Sequence, residues 1–167
     1  EAMALYVDQV NLPARLRPGH PLVIWDVGLG AGANILSAFL RLSPFVGSVQ
    51  AISFDQSLEP LRLTACHPEY MPGLAHFAPA VAQVLQKGHI RWCEGALEID
   101  WRVVETDFPS YLASARTVGL PAPEVIFYDA YSPKKNPEMW MAQNFKNLHA
   151  LRSPSGTVLV TYSRSTM

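Results

Sequence analysis

Short apolar runs alternate along the chain with segments whose apolar residues recur at helical spacing, and this alternation constrains the fold most. The runs predicted as strands are 22–27, 49–54, 90–93, 97–104, 125–128 and 157–163. The segments predicted as helices are 33–42, a helix capped by Ser57, 74–86, 108–116 and a helix capped by Asn136 that runs to about Leu151. Strands separated by helices indicate an α/β fold with a doubly wound, mostly parallel sheet. The runs on either side of Glu94 and Gly95 are predicted to form a hairpin.

The length of the chain is that of one domain. Its 167 residues fit a single unit covering residues 1–167. The last predicted strand ends close to Met167, whereas doubly wound sheets usually continue with further strands. We therefore expect this domain to be incomplete at both ends and to lack its last strands.

Composition excludes several classes of protein. With 49% hydrophobic and 16% charged residues the chain is not disordered, and no apolar run approaches the ~18 residues of a membrane span. Cys66 and Cys93 have no metal-site spacing and suit the reducing cytoplasm, and the histidines show no metal pattern either, so we predict no metal. A net charge of −1 does not indicate a nucleic-acid partner. Five bases and one acid do lie between Lys134 and Arg164, a cluster that fits a solvated face or weak phosphate binding.

A glycine-rich turn follows the first predicted strand and opens the first predicted helix. Glycines at such a position let the backbone turn sharply and approach a ligand closely. The pattern Gly28-x-Gly30-x-x-Ala33 fits a dinucleotide fingerprint, with Asp55 as the ribose-binding acid after the second strand.

The same turn permits a second interpretation. Asp26 precedes Gly28, Gly30 and Gly32 in an acid-x-Gly-x-Gly-x-Gly pattern, which resembles the loop of class I S-adenosylmethionine-dependent methyltransferases. The position of Asp26 favours this interpretation, but the loop alone leaves both cofactor classes open.

Four acidic residues lie at or just beyond the ends of predicted strands. They are Asp26, Asp55, Asp107 and Asp129. Each taken singly is explained equally well as a helix cap or turn residue. Because ligands of doubly wound sheets bind at the carboxyl ends of the strands, the four together predict a site at that edge.

Residues 129–140 carry the most specific pattern of the chain. They read Asp-Ala-Tyr-Ser-Pro-Lys-Lys-Asn-Pro-Glu-Met-Trp and resemble the Asp-Gly-Phe-Ala-Pro-x-Lys-Asn-Pro-Asp-Met-Trp signature of the MnmC-like methyltransferases. The glycine loop, residues 52–55, the hairpin leading to Asp107 and Gly156-Thr157 follow the family in order, so that the resemblance covers nearly the whole chain. The chain departs from the family at Ala130-Tyr131 in place of Gly-Phe, at Ala31 in place of Thr and at Asp55 in place of Glu.

This resemblance implies a class I methyltransferase fold, S-adenosylmethionine as cofactor and methylation of an aminomethyl group on the wobble uridine of tRNA. It also implies a cytoplasmic location and a flavin-dependent oxidase as a possible fused or separate partner. The residues expected to bind the cofactor are Asp26, Gly28, Gly30, Gly32, Asn34, Asp55 and Asp107, with the glycines at the methionine part, Asp55 at the ribose and Asp107 at the adenine.

On the acceptor side, Asp129 is expected to accept a hydrogen bond from the amine, and Tyr131 to stack on a base or line the pocket. Lys134, Lys135 and Asn136 are the expected substrate contacts. Proline and asparagine in this segment also fit purely conformational roles, and loop lysines are commonly only solvated.

Three other functions remain compatible with the sequence. An aminopropyl transferase of the spermidine-synthase type has the same fold and a related cofactor. An oxidoreductase would bind a nicotinamide dinucleotide on the same glycine loop. A non-catalytic scaffold would retain the fold and the cofactor without turnover.

Overall fold

A computed structural model describes residues 3–114, 117 and 119–161 of the chain. Within these ranges six strands form one sheet. They are β1 (Leu22–Val27), β2 (Gly47–Asp55), β3 (His89–Glu94), β4 (Leu97–Glu105), β5 (Val125–Tyr128) and β6 (Val158–Thr161). Their order across the sheet is β3-β4-β2-β1-β5-β6. All neighbours pair in parallel except β3 and β4, which form the predicted antiparallel hairpin.

Five α-helices connect the strands in the described part of the chain. They are α1 (Ala33–Leu42), α2 (Glu59–Cys66), α3 (Ala78–Lys87), α4 (Phe108–Ala113) and α5 (Ala142–Ala150). Shorter 3₁₀ segments cover Asp8–Val10, Leu12–Arg15, Pro68–Tyr70, Pro72–Phe77 and Pro137–Trp140, and Met3–Val7 forms a π-helical turn. No helix in the described ranges has the length and apolar character needed to cross a bilayer.

Two apolar layers cover the two faces of the sheet. One contains the buried faces of α1, α2 and α3 with the amino-terminal turns, and the other contains α4 and α5. Every residue of β1 and of β5 is buried, which is why both strands read as apolar runs, interrupted in β1 by Asp26. The layered architecture confirms the predicted α/β class with a mostly parallel, doubly wound sheet.

The strand order places the candidate site. β1 lies at the centre of the sheet, with β2 on one side and β5 on the other, and Val27 pairs with Phe54 and with Tyr128. Chain order reverses at β1, and a crevice forms at the carboxyl ends of strands at such a switch point. The residues that follow β1, β2, β4 and β5 therefore meet at one edge.

Two predicted helix beginnings differ from the structure. Ser57 does accept a hydrogen bond from the Glu59 amide (3.3 Å), but α2 begins after Leu58, whose side chain cannot cap. The helix predicted at 74–86 is divided into a 3₁₀ segment and α3, which begins at Ala78. Pro79 explains the division, because it lacks the N–H that would continue an α-helix from the preceding turn.

The helix predicted to begin at Asn136 is also divided. Asn136 makes no side-chain cap, Pro137–Trp140 is a 3₁₀ turn, and extended Met141 separates it from α5. Side chains take the carbonyls that a continuous helix would use: Asn144 Nδ2 donates to the Glu138 carbonyl at 2.7 Å. The last strand is described to 161 and α4 ends at Ala113; the predicted residues 162–163 and 115–116 lie outside the described ranges.

Candidate functional site

A cleft with a volume of about 610 Å³ opens at the carboxyl ends of β1, β2, β4 and β5. Six of the predicted site residues line it: Gly28, Gly30, Asp55, Asp129, Tyr131 and Asn136. The other lining residues are Phe54, Gln56, Ser57, Glu59, Pro60, Thr106, Phe108, Ala130 and Met139. The sheet thus brings together residues from segments more than 100 positions apart in sequence.

The glycine loop is held against the ends of two strands. The amides of Gly28 and Leu29 both donate to the Phe54 carbonyl, at 2.9 and 3.2 Å. Gly28 has a φ of +84°, and a Cβ at this position would lie 2.4 Å from the Asp129 carbonyl oxygen. Only glycine therefore allows the loop to pack directly on the residue that follows β5.

Asp55 joins the end of β2 to the same loop. Its Oδ2 accepts from the Gly30 amide at 2.8 Å, and its Oδ1 accepts from the Ser57 amide at 3.2 Å. The side chain is partly exposed and lines the cleft. Since each carboxylate oxygen has more than one lone pair, the group remains able to accept from a ligand hydroxyl.

Asp26 lies behind the loop rather than in the cleft. It is 1% exposed, and its Oδ2 accepts from the Ser53 hydroxyl at 3.0 Å, which in turn accepts from Trp101 Nε1 at 3.0 Å. Among the described residues its Oδ1 has no partner. Burial raises the pKa of Asp26 to about 7 against the lowering effect of Ser53, and the nearby charges of Asp129 and Asp55 add to the increase.

Asn34 and Gly32 also lie outside the cleft lining. Asn34 is 7% exposed at the start of α1, and its Nδ2 donates to Asp129 Oδ2 at 2.9 Å. A Cβ on Gly32 would lie 2.9 Å from Leu61 Cδ1, which places this glycine against α2.

Asp107 serves as the N-cap of α4. Its Oδ2 accepts from the Ser110 amide at 3.0 Å and its Oδ1 from Gln56 Nε2 at 2.8 Å. The hydrogen bonds from Ser110 lower the pKa of Asp107. Gln56 itself lines the cleft, so that Asp107 is positioned one side chain away from it.

The segment after β5 forms the rim of the cleft. Tyr131 is 71% exposed, and Lys135 Nζ lies 5.7 Å from the centre of its ring. Lys134 is exposed as well. Asn136 lines the cleft, but its Oδ1 is buried and has no partner among the described residues.

Sequence reasoning missed several lining residues. Gln56, Ser57 and Thr106 follow β2 and β4 directly, so the rule that ligands bind at strand ends would have found them. Phe108 and Met139 carry no comparable signal, because an apolar residue at helical spacing is equally typical of the core.

A second cavity, of about 480 Å³, lies away from the strand ends that carry the glycine loop. Its lining includes Ser48 and Glu98 at the beginning of β2 and β4, together with Arg91 of β3. It contains none of the predicted site residues, and we place the candidate site at the first cleft.

The first cleft fits the cofactor that the sequence predicts. Its volume lies within the roughly 300–1,000 Å³ of small-molecule sites. A Cβ on Gly30 would meet nothing within 4 Å, so this turn of the loop borders open space that a ligand can fill. Asp55 stands beside this space as an acceptor for ligand hydroxyls.

Comparison with known proteins agrees with this assignment. A family model described as S-adenosyl-L-methionine-dependent methyltransferase matches residues 95–167. The chain is 30% identical over 179 residues to the tRNA 5-methylaminomethyl-2-thiouridine biosynthesis bifunctional protein MnmC of Aeromonas hydrophila, and 28% identical over 173 residues to that of Aeromonas salmonicida. Both alignments cover 95% of this chain and 25% of the relative, so the chain spans about a quarter of the length of these curated relatives.

Solved structures show the same fold. The crystal structure of MNMC2 from Aquifex aeolicus has a TM-score of 0.68 at 20% identity, over 99% of this chain and 50% of that one. TrmN from Thermus thermophilus has a TM-score of 0.50 at 19% identity, over 96% of this chain and 37% of that one. The family match decides between the two cofactor classes in favour of S-adenosylmethionine. The resemblance seen in residues 129–140 is thereby confirmed: the chain is similar over 95% of its length to MnmC proteins, and its residues 95–167 match a model of S-adenosyl-L-methionine-dependent methyltransferases.

Proposed function

We propose that this protein transfers a methyl group from S-adenosylmethionine to the nitrogen of an aminomethyl group on the wobble uridine of tRNA. One observation carries the proposal: the glycine loop packs so closely on Asp129 that a Cβ at Gly28 would lie 2.4 Å from its carbonyl oxygen. A donor held on the loop and an amine held by Asp129 would therefore meet in one cleft. The likeness to MnmC proteins over 95% of the chain supports this choice of acceptor.

The donor side rests on backbone and carboxylate groups. When bound, S-adenosylmethionine supplies a methyl group activated by a sulfonium. Gly28 and Gly30 would lie along its methionine part, and Asp55 would accept from its ribose hydroxyls. Because the reaction is an in-line displacement, the protein has mainly to align donor and acceptor, which supplies ~7–11 kcal/mol in favourable cases.

The acceptor side needs a hydrogen-bond acceptor that leaves the amine lone pair free. Asp129 is exposed and lines the cleft, and a carboxylate at this position accepts an N–H of the incoming amine. As the nitrogen forms its new bond it gains positive charge, which a nearby carboxylate stabilises. The residue thus orients the neutral amine and favours the charged state that follows.

The rim offers contacts suited to RNA. The exposed ring of Tyr131 presents a stacking surface, and stacking on an aromatic side chain is worth roughly 1–3 kcal/mol per base. Trp140 Nε1 donates to the Tyr131 carbonyl at 2.7 Å and holds this backbone in place. Lys134 and Lys135 are exposed beside it and can contact phosphates.

A partner activity and a location belong to the same proposal. The relatives are named as bifunctional proteins, and we propose that a flavin-dependent oxidase, fused or separate, acts on the same tRNA. A cytoplasmic location is proposed together with the tRNA substrate.

The decisive experiment is methylation of tRNA from cells that lack this methyltransferase step. The full-length protein is incubated with methyl-labelled S-adenosylmethionine and unfractionated tRNA. The nucleosides are then separated and their masses are measured by mass spectrometry. We expect label only in the wobble nucleoside, with the mass gain that results when one labelled methyl group replaces one hydrogen. Methylated tRNA from wild-type cells serves as the matched acceptor and is expected to take up no label.

Other outcomes would replace the proposal. Label at another position would change the substrate. Turnover of decarboxylated cofactor with an amine would indicate an aminopropyl transferase, and cofactor binding without any transfer would indicate a scaffold.

A further inference from the structure

The geometry points to Asn34 as the residue that positions the Asp129 carboxylate for methyl transfer; this inference rests on the proposed function. The sequence predicted Asn34 as a cofactor ligand. In the structure its side chain is 7% exposed and its Nδ2 donates to Asp129 Oδ2 at 2.9 Å, across 95 positions of sequence. The amide is therefore directed at the acceptor residue.

The backbone of Asp129 is fixed by other contacts. Its amide donates to the Val27 carbonyl at 2.8 Å, and its own carbonyl lies against Gly28. With the backbone held, rotation of the side chain is the freedom that remains. The hydrogen bond from Asn34 removes that freedom and occupies Oδ2.

The second oxygen of the carboxylate is left for the substrate. Within residues 3–114, 117 and 119–161 no hydrogen bond to Asp129 Oδ1 is present, and the residue lines the cleft. An amine N–H can therefore bind Oδ1 while Asn34 keeps Oδ2. This arrangement fixes the direction from which the amine approaches.

Charge provides a reason for a neutral donor at this place. Asp129 stands near enough to Asp26 for the charges of the two groups to interact. A carboxylate with another acid nearby gains from an N–H donor, and the Asn34 amide supplies one without adding a charge that would compete for the amine. Asn34 also lies in the first turn of α1, just after the glycine loop, so one short segment holds both the donor loop and the acceptor carboxylate.

The bond changes define what Asn34 must support. The amine lone pair forms the nitrogen–carbon bond as the carbon–sulfur bond breaks toward sulfur, and the positive charge passes from sulfur to nitrogen. The nitrogen then loses one proton, to Asp129 or to water. A misdirected carboxylate fails to align the lone pair, and errors of about 1 Å in alignment can cost 100-fold in rate.

The test compares Asn34→Ala with Ser37→Ala, a variant on the same helix at a side chain of similar burial (6% against 7% exposed). Two quantities are measured: the Kd of S-adenosylhomocysteine by calorimetry and the kcat of tRNA methylation. We expect Asn34→Ala to lower kcat roughly 10- to 100-fold with the Kd changed less than about threefold. Ser37→Ala is expected to leave both unchanged.

A double-mutant cycle with Asp129→Ala separates positioning from general destabilisation. In the Asp129→Ala background, removing Asn34 should lower kcat by no more than about twofold, because the group that it positions is gone. A further loss equal to that in the wild-type background would overturn the inference, as would a Kd for S-adenosylhomocysteine that rises in proportion to the fall in kcat. The second result would make Asn34 a cofactor ligand.

The cycle also distinguishes this inference from the proposed function. If the wild-type protein methylates tRNA and Asn34→Ala leaves the kcat unchanged, the inference alone is overturned. A wild-type protein that binds S-adenosylhomocysteine but methylates no tRNA overturns the proposed function, and the inference with it.

Discussion

Replacing Asp26 by Asn should change how the stability of this protein depends on pH. Asp26 is 1% exposed behind the glycine loop, and burial raises its pKa from an ordinary 3.8 to about 7. The unfolded chain therefore releases this proton above about pH 4, whereas the folded protein keeps it until about pH 7. Between these values the unfolded state binds fewer protons, so the contribution of Asp26 to stability falls as pH rises.

The magnitude follows from the two pKa values. The folded and unfolded pKa values of Asp26 differ by about 3, and a pKa difference of 1 corresponds to about 1.36 kcal/mol. The total effect on stability is therefore about 4 kcal/mol, of which about 3 kcal/mol develops between pH 5 and pH 8. Asn cannot ionise and carries no such penalty. It does place an NH₂ group where Asp26 Oδ1 has no partner among the described residues, which costs about 1–3 kcal/mol at every pH. The slope with pH, rather than the stability at one pH, is therefore the informative quantity.

The assay is urea unfolding of both proteins at fixed ionic strength from pH 5 to pH 8. We expect the stability of Asp26→Asn relative to wild type to increase by about 3 kcal/mol across this range. Glu138→Gln, which removes an exposed carboxylate, is the control for the loss of one carboxylate. A stability difference for Asp26→Asn that does not change with pH, or that Glu138→Gln reproduces, would refute the reasoning from burial.

Three further predictions concern the loop, the core and the rim. Gly28→Ala should weaken S-adenosylhomocysteine binding tenfold or more, which is about 1.4 kcal/mol, because the added Cβ would lie 2.4 Å from a carbonyl oxygen. The control is Gly88→Ala, where φ is +73° and a Cβ would meet nothing within 4 Å, and it should leave binding unchanged. Tyr128→Phe removes a buried hydroxyl that donates to the Met139 carbonyl and should lower the free energy of unfolding, measured by urea unfolding, by about 1 kcal/mol. An unchanged free energy of unfolding would contradict the role of this hydrogen bond. Tyr131→Ala should raise the KM for tRNA about tenfold with unchanged cofactor affinity, whereas Tyr131→Phe keeps the stacking surface, so equal effects of the two would argue against stacking.

The sheet could be predicted from the sequence because its signals are local. β1 and β5 are buried on both faces and read as apolar runs, interrupted in β1 by Asp26, and the observed bounds of both strands equal the predicted ones. The edge of the sheet that carries the site follows from the same pattern, since every strand end is marked by its own residues. The strand-end rule therefore places Asp55 and Asp129 at the site from sequence alone.

Contacts that depend on packing could not be predicted. Asn34 stands in the glycine segment, and nothing in its neighbours indicates that its amide reaches across to Asp129. The interrupted helix after Asn136 has the same cause: Asn144 takes the Glu138 carbonyl, a contact that exists only once α5 has packed. The predicted cofactor role of Asp107 stays a prediction, and the structure adds its role as the cap of α4.

Some residues of the 12-residue pattern at 129–140 face the cleft, and others fix the backbone of the segment that carries them. Tyr131 is exposed, yet its carbonyl is anchored by Trp140, and Met139 at the base of the cleft is tied to the end of β5 through Tyr128. A flexible segment with the same exposed side chains would lose the alignment that methyl transfer requires, because orientation accounts for most of what the protein must supply. The length of the pattern is thus explained by the anchoring it contains: the residues that would touch the substrate are few, and the remainder fix the loop that presents them.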